Sequence, residues 1–372
     1  MGRVVIARSA PELTRWGSAL DDLADHAAEP NIFFQREMLL PALDCLDAER
    51  VEVFLLFSGE QLIGLLPLER AATFHGLPIA ALRTWQHLHC FLGTPLVRAG
   101  SERSFFNALL DWLNFRPSRE VALELNYFGQ GGSLWASLQD VLTSRGRHFF
   151  GAPKIERAVL VPQGEPDEYL AACLGNKKLK ELRRQQRRLA ELGELAFQSL
   201  TGSDDVEEWI QDFLALEQSG WKGREGTAMA LDPAEKRFFV SVMRQTFESK
   251  RLLMLRMRLD GRTISSQVNF SSGPGAFGFK VAFDESYAKY SPGVLLELEN
   301  IRQQLDQGDI EWMDSCANSP SGMIENIWRE RRHLGSCCIA TAHPLSRSAI
   351  SLFRLYSGFR RRAPATLPTG TT

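Results

Sequence analysis

The segment FGFKVAFDESYAKYSPGVLLELENIRQQ, Phe277 to Gln304, gathers the chain's best candidates for chemistry. A strand is expected to end near Phe283, a polar loop to follow, and Ser291-Pro292-Gly293 to open an apolar-periodic helix with Ser as N-cap and Pro in the first turn. A helix that starts just past a strand's carboxyl end points unpaired N–H groups and the positive end of its dipole at whatever binds there. Such a start cradles an anion, for example a pyrophosphate. Neither G-x-G-x-x-G nor G-x-x-x-x-G-K-[ST] is present, so a dinucleotide-binding fold and a P-loop are not supported.

The elements that must hold this cradle recur along the chain. VEVFLLF and LIGLLPLER flank Ser58-Gly59-Glu60, and RLLMLRMRL and TISSQVNFSS flank Asp260-Gly261-Arg262, each reading as a β-hairpin. After the first hairpin come HLHCFLGTPLV, a helical run from Ser104 to Phe115 and the strand VALELNYF. After the second come AFGFKVAF, a helical run from Gly293 to Gln307 and the strand DIEWMDS. The repeat predicts two α/β units of similar topology with parallel β-α-β connections. The expected division is 1–160, 161–342 and a C-terminal piece, 343–372, made of an amphipathic helix and a disordered tail.

The chain has 372 residues, 44% of them hydrophobic and 24% charged, enough to bury a large core. Its 43 Lys and Arg nearly balance 45 Asp and Glu, so nothing global attracts nucleic acid. The one local excess is GNKKLKELRRQQRRLAELGE, where Lys177, Lys178, Lys180, Arg183, Arg184, Arg187 and Arg188 face only Glu181. Leu179, Leu182, Leu189 and Leu192 give this basic helix, 176–192, one apolar face. It is either a solvated face or a dock for an anionic partner such as an acyl carrier, a phosphate-bearing substrate or a membrane surface. Cys45, Cys90, Cys173, Cys316, Cys337 and Cys338 show no metal-ligand spacing, which predicts reduced thiols and no metal. No secretory core and no apolar run of membrane-spanning length is present, so a cytoplasmic protein is expected, with peripheral contact at the inner membrane face as an option.

The run FKVAFDESYAKYSPGVLLELE, then WMDSCA and MIENIWRERR, with LALEQSGWKGREGTAM and KKLKELRRQQRRL upstream, resembles the CelD-like acetyltransferase family, a double-domain branch of the GNAT acyl-CoA N-acyltransferases. The resemblance implies two tandem GNAT-like domains of mixed sheet with flanking helices, the first degenerate and the second catalytic. It implies acyl-CoA, with acetyl-CoA foremost, as co-substrate. The pantetheine arm would lie along AFGFKVAF, at Phe279 and Val281, and the pyrophosphate at Tyr290, Ser291, Pro292, Gly293 and Val294.

Transfer to an amine needs a base, donors for an oxyanion and stabilisation of the leaving thiolate. Asp314, ending DIEWMDS, is the first choice for base or amine anchor, with Glu217 as the alternative. Lys280 either stabilises negative charge near the thioester or pairs with Asp284. Tyr287 and Tyr290 are candidate hydroxyl donors to the thiolate. Trp221 and Lys222, in GWKGREG, are expected to face the cleft, with Glu217 orienting Lys222. Cys316 is placed near the acceptor rather than as a nucleophile. Trp328, Arg331 and Arg332 match the family's MIENIWRERR segment; Trp328 and Arg331 are candidate substrate contacts, and one of the arginines would pair with Asp314 or with a substrate carboxylate. His87 and His89 are read as lining the wall between the two units. The reading is an N-acyltransferase serving an amine acceptor, with extracellular polysaccharide or envelope synthesis as the setting. Its rivals are a Fem-type transferase using aminoacyl-tRNA, which the basic helix would suit, and a non-catalytic scaffold.

Overall fold

Two tight turns set the frame. In the computed structural model, which describes residues 2–116, 120–151, 155–317 and 324–351, β1 (Arg3–Ala7) borders the hairpin of β2 (Val51–Ser58) and β3 (Gln61–Ala71). Ser58 pairs with Gln61, so Gly59 and Glu60 form the turn, and Gly59 takes φ +58°. β4 (Ala81–Thr84) and the short β5 (Leu96–Val97) both pair with β3, and β6 (Ala122–Gly129) runs parallel to β4. Then come β7 (Phe149–Gly151) and β8 (Ile155–Leu160).

The second half repeats this order. β9 (Leu195–Ser199), β10 (Leu252–Leu259), β11 (Arg262–Ser272) and β12 (Gly275–Phe283) are successively antiparallel, and β13 (Trp312–Asp314) runs parallel to β12. Asp260 at φ +48° and Gly261 at φ +75° close the β10–β11 turn in the geometry that matches the strands' twist. β14 (Glu330–Ala340) ends the series.

The expected pair of sheets is one continuous sheet, in the order β1-β2-β3-β4-β6-β14-β8-β13-β12-β11-β10-β9. Its centre is an exchange. β8 pairs with β13 of the second half, β14 pairs with β6 of the first, and β8 and β14 pair with each other. Neither half completes its sheet with its own last strand.

Eight helices position the site: α1 (Arg36–Cys45), α2 (Glu102–Phe115), α3 (Ser133–Ser144), α4 (Pro166–Ala190), α5 (Val206–Ser219), α6 (Trp221–Arg224), α7 (Pro233–Glu248) and α8 (Pro292–Gln307). α2 links β4 to β6, and α8 links β12 to β13. A large core containing Phe33, Phe54, Phe105, Phe213, Phe238 and Phe277 runs through both halves, where α1 packs on α7. Each fully buried phenylalanine contributes about 1.5–3 kcal/mol. A second core under α4 and α8 holds Leu179, Leu182, Leu255, Met257, Leu296 and Trp328.

The basic helix starts ten residues before the expected segment and is broken at Gly175, φ +73° and ψ 153°. Leu179, Leu182 and Leu189 are buried as expected, whereas Leu192 lies past the helix end and is 52% exposed. Residues 346–351 are helical, and the rest of the expected C-terminal helix and tail lies outside the described residues. Among the described residues no helix is long and apolar enough to cross a membrane.

His87 and His89 lie on an irregular segment rather than a strand. Gly93 pins that segment, because a Cβ there would stand 2.0 Å from the Asn126 carbonyl oxygen. Gly93→Ala should therefore cost about 1–3 kcal/mol through overpacking against backbone. Gly202→Ala, whose Cβ would meet nothing within 4 Å, should stay within about 0.5 kcal/mol of wild type. Urea denaturation of the two variants checks the contrast.

Candidate active site

β12 pairs with β13 only through Gly275, Ala276 and Phe277, and then runs on to Phe283 beyond the end of its parallel neighbour. On its other side the register with β11 slips between Val268 and Asn269, leaving Phe279 opposite no residue. A bulge of this kind frees backbone groups and re-aims the side chains around it. In the gap lies a cavity of about 80 Å³, lined by Gln267, Asn269, Gly278, Phe279, Gly293 and Glu297 among others. A Cβ on Gly278 would approach the Ser315 carbonyl oxygen to 3.0 Å, so glycine lets the two backbones stay close where their pairing ends.

α8 begins at the mouth of this gap. Ser291 holds the cap position but not as expected. Its backbone is left-handed, φ 54° and ψ 51°, and its side chain makes no cap hydrogen bond. The first internal bond runs from the Leu295 N–H to the Ser291 carbonyl. Gly293 and Val294 therefore present N–H groups without intrahelical acceptors, and Pro292 has none to present.

One turn further on, the buried Glu297 carboxylate accepts from Gln267 Nε2 at 2.8 Å, Trp328 Nε1 at 2.9 Å and Asn300 Nδ2 at 3.2 Å. Burial raises its pKa, against the pull of those three donors. Trp328 is 1% exposed, so it props Glu297 from the core and is not a substrate wall.

The other face of β12 carries a charged cluster. The Lys280 ammonium lies 4.0 Å from Glu217 Oε1 and over the Phe279 ring, not against Asp284. Glu217 accepts from Lys222 Nζ at 2.8 Å and from the Met229 N–H at 3.0 Å, so it orients Lys222 as expected. Burial first, then the Lys222 charge, lowers the Lys280 pKa to about 8, while Glu217 and Glu235 pull the other way. Trp221 is half exposed at the rim, its backbone N–H donating to Glu285 Oε1.

His89 closes the cluster from the first half. Its ring stacks on Phe238, 5.4 Å between centroids and 13° between planes, and meets Phe279 edge-on. Its buried Nε2 has no hydrogen-bond partner among the described residues, and Glu235 Oε2 is 3.7 Å away. Burial and the two lysines lower its pKa to about 3, which keeps the imidazole neutral. Glu235 is raised by burial. His87, also lowered to about 3 by burial, packs edge-on against the same Phe238. The two histidines do line the wall between the halves.

Other expected contacts lie elsewhere. Asp314 is fully buried, accepts from the Cys316 N–H at 2.9 Å and pairs with Arg332 Nη1 at 3.2 Å. Its carboxylate is the counterion of Arg332, and the arginine anticipated from MIENIWRERR is Arg332. Arg331 instead donates to the Trp328 and Glu330 carbonyls. That segment is a short helical turn over Ile324–Ile327 that leads into β14 at Glu330, so both arginines lie on the strand. Cys316 sits in the core at φ +54°, its thiol pKa raised well up by burial and by Asp314, so it neither lines the cavity nor forms a ready thiolate. Asp284 caps the turn at Ser286 and pairs with Arg262. Tyr287 and Tyr290 pack against the second core beside the cradle, with Lys289 over the Tyr290 ring.

Glu235 and Glu297 were not anticipated. Asp232-Pro-Ala-Glu235 reads as an ordinary helix start. Glu297, four residues from Gly293, carries the only available signal, because that spacing puts it on the same helix face.

Residues 176–320 match the family model described as an acetyltransferase (GNAT) domain. No curated protein matches the sequence. Among solved structures, FemX matches at TM-score 0.58 with 10% identity over 92% of this chain and 98% of its own. A conserved protein of unknown function from Bacteroides thetaiotaomicron matches at 0.55 with 11% identity, over 91% and 100%. The C-terminal DUF2156 domain of a protein from Agrobacterium fabrum named for lysylphosphatidylglycerol synthetase matches at 0.54 with 10% identity, over 93% and 96%. The mixed sheet with flanking helices is the expected fold, the GNAT domain model falls on its second half, and the structural likenesses extend over both halves.

The Asp314 geometry carries a prediction. Asp314→Ala leaves the Arg332 guanidinium without its counterion at the sheet's centre and should cost about 3 kcal/mol. Chemical denaturation measures it, and a variant as stable as wild type would release Asp314 from its structural role.

Proposed function

We propose that this protein is a GNAT-type N-acyltransferase that moves an acyl group, acetyl foremost, from acyl-CoA to an amine. The observation that carries this reading is the parting of β12 from β13 beyond Phe277, directly beside the open N-terminus of α8. The residues there suit the donor. Gly293 and Val294 offer N–H groups to a pyrophosphate, and Gly278 keeps the slot free of side chains. At about 80 Å³ the slot is narrower than a pantetheine arm, so donor entry widens it.

In this reading the amine enters from the Trp221 side, and its nitrogen attacks the thioester carbonyl near the Phe279 bulge. A carbon–nitrogen bond forms, and negative charge gathers on the carbonyl oxygen. The backbone freed at the bulge and the Lys280 ammonium stabilise that charge. Glu235, whose pKa burial raises, accepts the amine proton and passes it to solvent, while the uncharged His89 ring walls its path. Glu217 holds the two ammonium groups in place. The intermediate then collapses, the carbon–sulfur bond breaks, and the thiolate leaves to be protonated, with Tyr290 nearby as donor. The resemblance to CelD-like enzymes supports an amine of extracellular polysaccharide or envelope synthesis as the acceptor.

A second reading rests on the groove of about 900 Å³ between α4 and β9, lined by Lys177, Lys180, Arg183, Arg184 and Arg187 over Leu195 and Phe197. That surface suits an anionic partner, and an aminoacyl-tRNA donor would use it.

Thermal-shift titration separates these readings. CoA and acetyl-CoA should raise Tm with little dependence on salt, and Val294→Asp should weaken CoA at least about tenfold while remaining folded, since an acid in the first turn suits the helix but repels phosphate. Salt-sensitive binding of charged tRNA with no CoA shift would favour the second reading, and no response to either would favour a scaffold.

The pH profile tests Lys280. Its charged form stabilises the oxyanion, so kcat/KM should fall as pH rises through about 8. Lys280→Arg should remove that decline by staying charged, and Lys280→Met should lower kcat about 100-fold. A wild-type profile in Lys280→Met would exclude the role.

A further inference from the structure

We propose that His75, Glu124 and Cys338 form a zinc-type metal site at the sheet's centre, remote from the acyl-transfer cluster. The three come from separate parts of the fold: the turn between β3 and β4, the first part of β6, and the exchanged strand β14. Glu124 and Cys338 are direct register partners across the antiparallel β6–β14 pair. His75 is held over them by a two-residue turn in which Phe74 and Leu77 exchange both backbone hydrogen bonds, with His75 at φ +48° and Gly76 at φ +85°. One nitrogen, one oxygen and one sulfur thus converge, all within 4.8 Å of one another. Glu124 and Cys338 are buried, and His75 is at the solvent edge.

This is a borderline-soft donor set of the kind that selects Zn²⁺ over Mg²⁺ or Ca²⁺. Bonds of about 2.0–2.3 Å to a tetrahedral ion place ligand atoms roughly 3.3–3.7 Å apart. The Cys338 Sγ to Glu124 Oε1 separation is already 3.6 Å. His75 Nε2, now paired with the same Glu124 oxygen, has only to swing outwards on its exposed turn, and water completes the fourth position. Binding would break the Cys338 S–H bond, form a metal–thiolate bond and release one proton. Because that proton is released on binding, affinity should rise with pH. The ion would fasten β14 to the half of the chain that did not supply it.

Cobalt(II) titrated into the reduced full-length protein reads the site directly, because thiolate ligation gives a near-ultraviolet charge-transfer band. The expected result is one equivalent bound with that band, its loss on adding zinc, and a zinc-dependent rise in Tm. Cys338→Ser should abolish the band. His75→Asn, which tolerates the left-handed turn, should weaken cobalt about tenfold or more and keeps the test open if Cys338→Ser does not fold. A folded wild type without the band overturns the proposal. So does a band that survives in both variants, or one that disappears when the half-buried Cys45 or Cys173 is replaced instead.

Discussion

A strand in the middle of a sheet normally has partners on both sides, and β12 has both for only the first part of its length. Everything at the candidate site follows from where that pairing stops. β13 ends at Asp314 while β12 continues to Phe283, so one row of β12 backbone groups is left open where α8 starts. The bulge at Phe279 frees more backbone on the same stretch and turns Lys280 towards Glu217. Glycine at 278 keeps the parting free of side chains. The slot is therefore a property of strand lengths and register, and the side chains around it adapt to that geometry.

The charges near β12 divide by environment. Glu297 is buried with three neutral donors and no cation, which raises its pKa and makes it an anchor for Trp328 and Gln267. Glu217 is equally buried but faces two lysines, and it collects them where the chain from the first half delivers an uncharged imidazole. A neutral histidine beside ammonium groups is what desolvation predicts, since neither can gain a further positive charge cheaply. Asp314, which the position at a strand's carboxyl end made attractive, is instead absorbed by Arg332 from the exchanged strand.

Local signals carried much of this. Hairpin turns at Gly59 and Asp260-Gly261, the helix opening at Pro292 and the parallel strand before Cys316 all follow from nearest-neighbour chemistry, and each is where the residue pattern puts it. The Glu217–Lys222 pair and the histidine wall were legible because their partners lie within one turn or on one short segment. The exchange of β8 and β14 was not, since nothing within IERAVL or ERRHLGSCCIA says which strand lies beside it. Arg332 rather than Arg331, and Glu235 at all, depend on that long-range placement. The left-handed Ser291 was hidden for a different reason: Ser before Pro-Gly looks like an ordinary cap, and only the turn preceding it forces the positive φ.

The crossed strands also govern how the chain reaches its native state. β6 ends at Gly129, yet one of its neighbours is β14, which begins at Glu330. During synthesis the first half must leave the ribosome with a hydrophobic strand open along one edge, and it stays so until almost the whole chain has emerged. Pairings this distant in sequence form slowly, and an open edge is a template for the wrong partner. Separating the halves in sequence would leave β6 and β13 as open edges and would part β8 and β14 from each other.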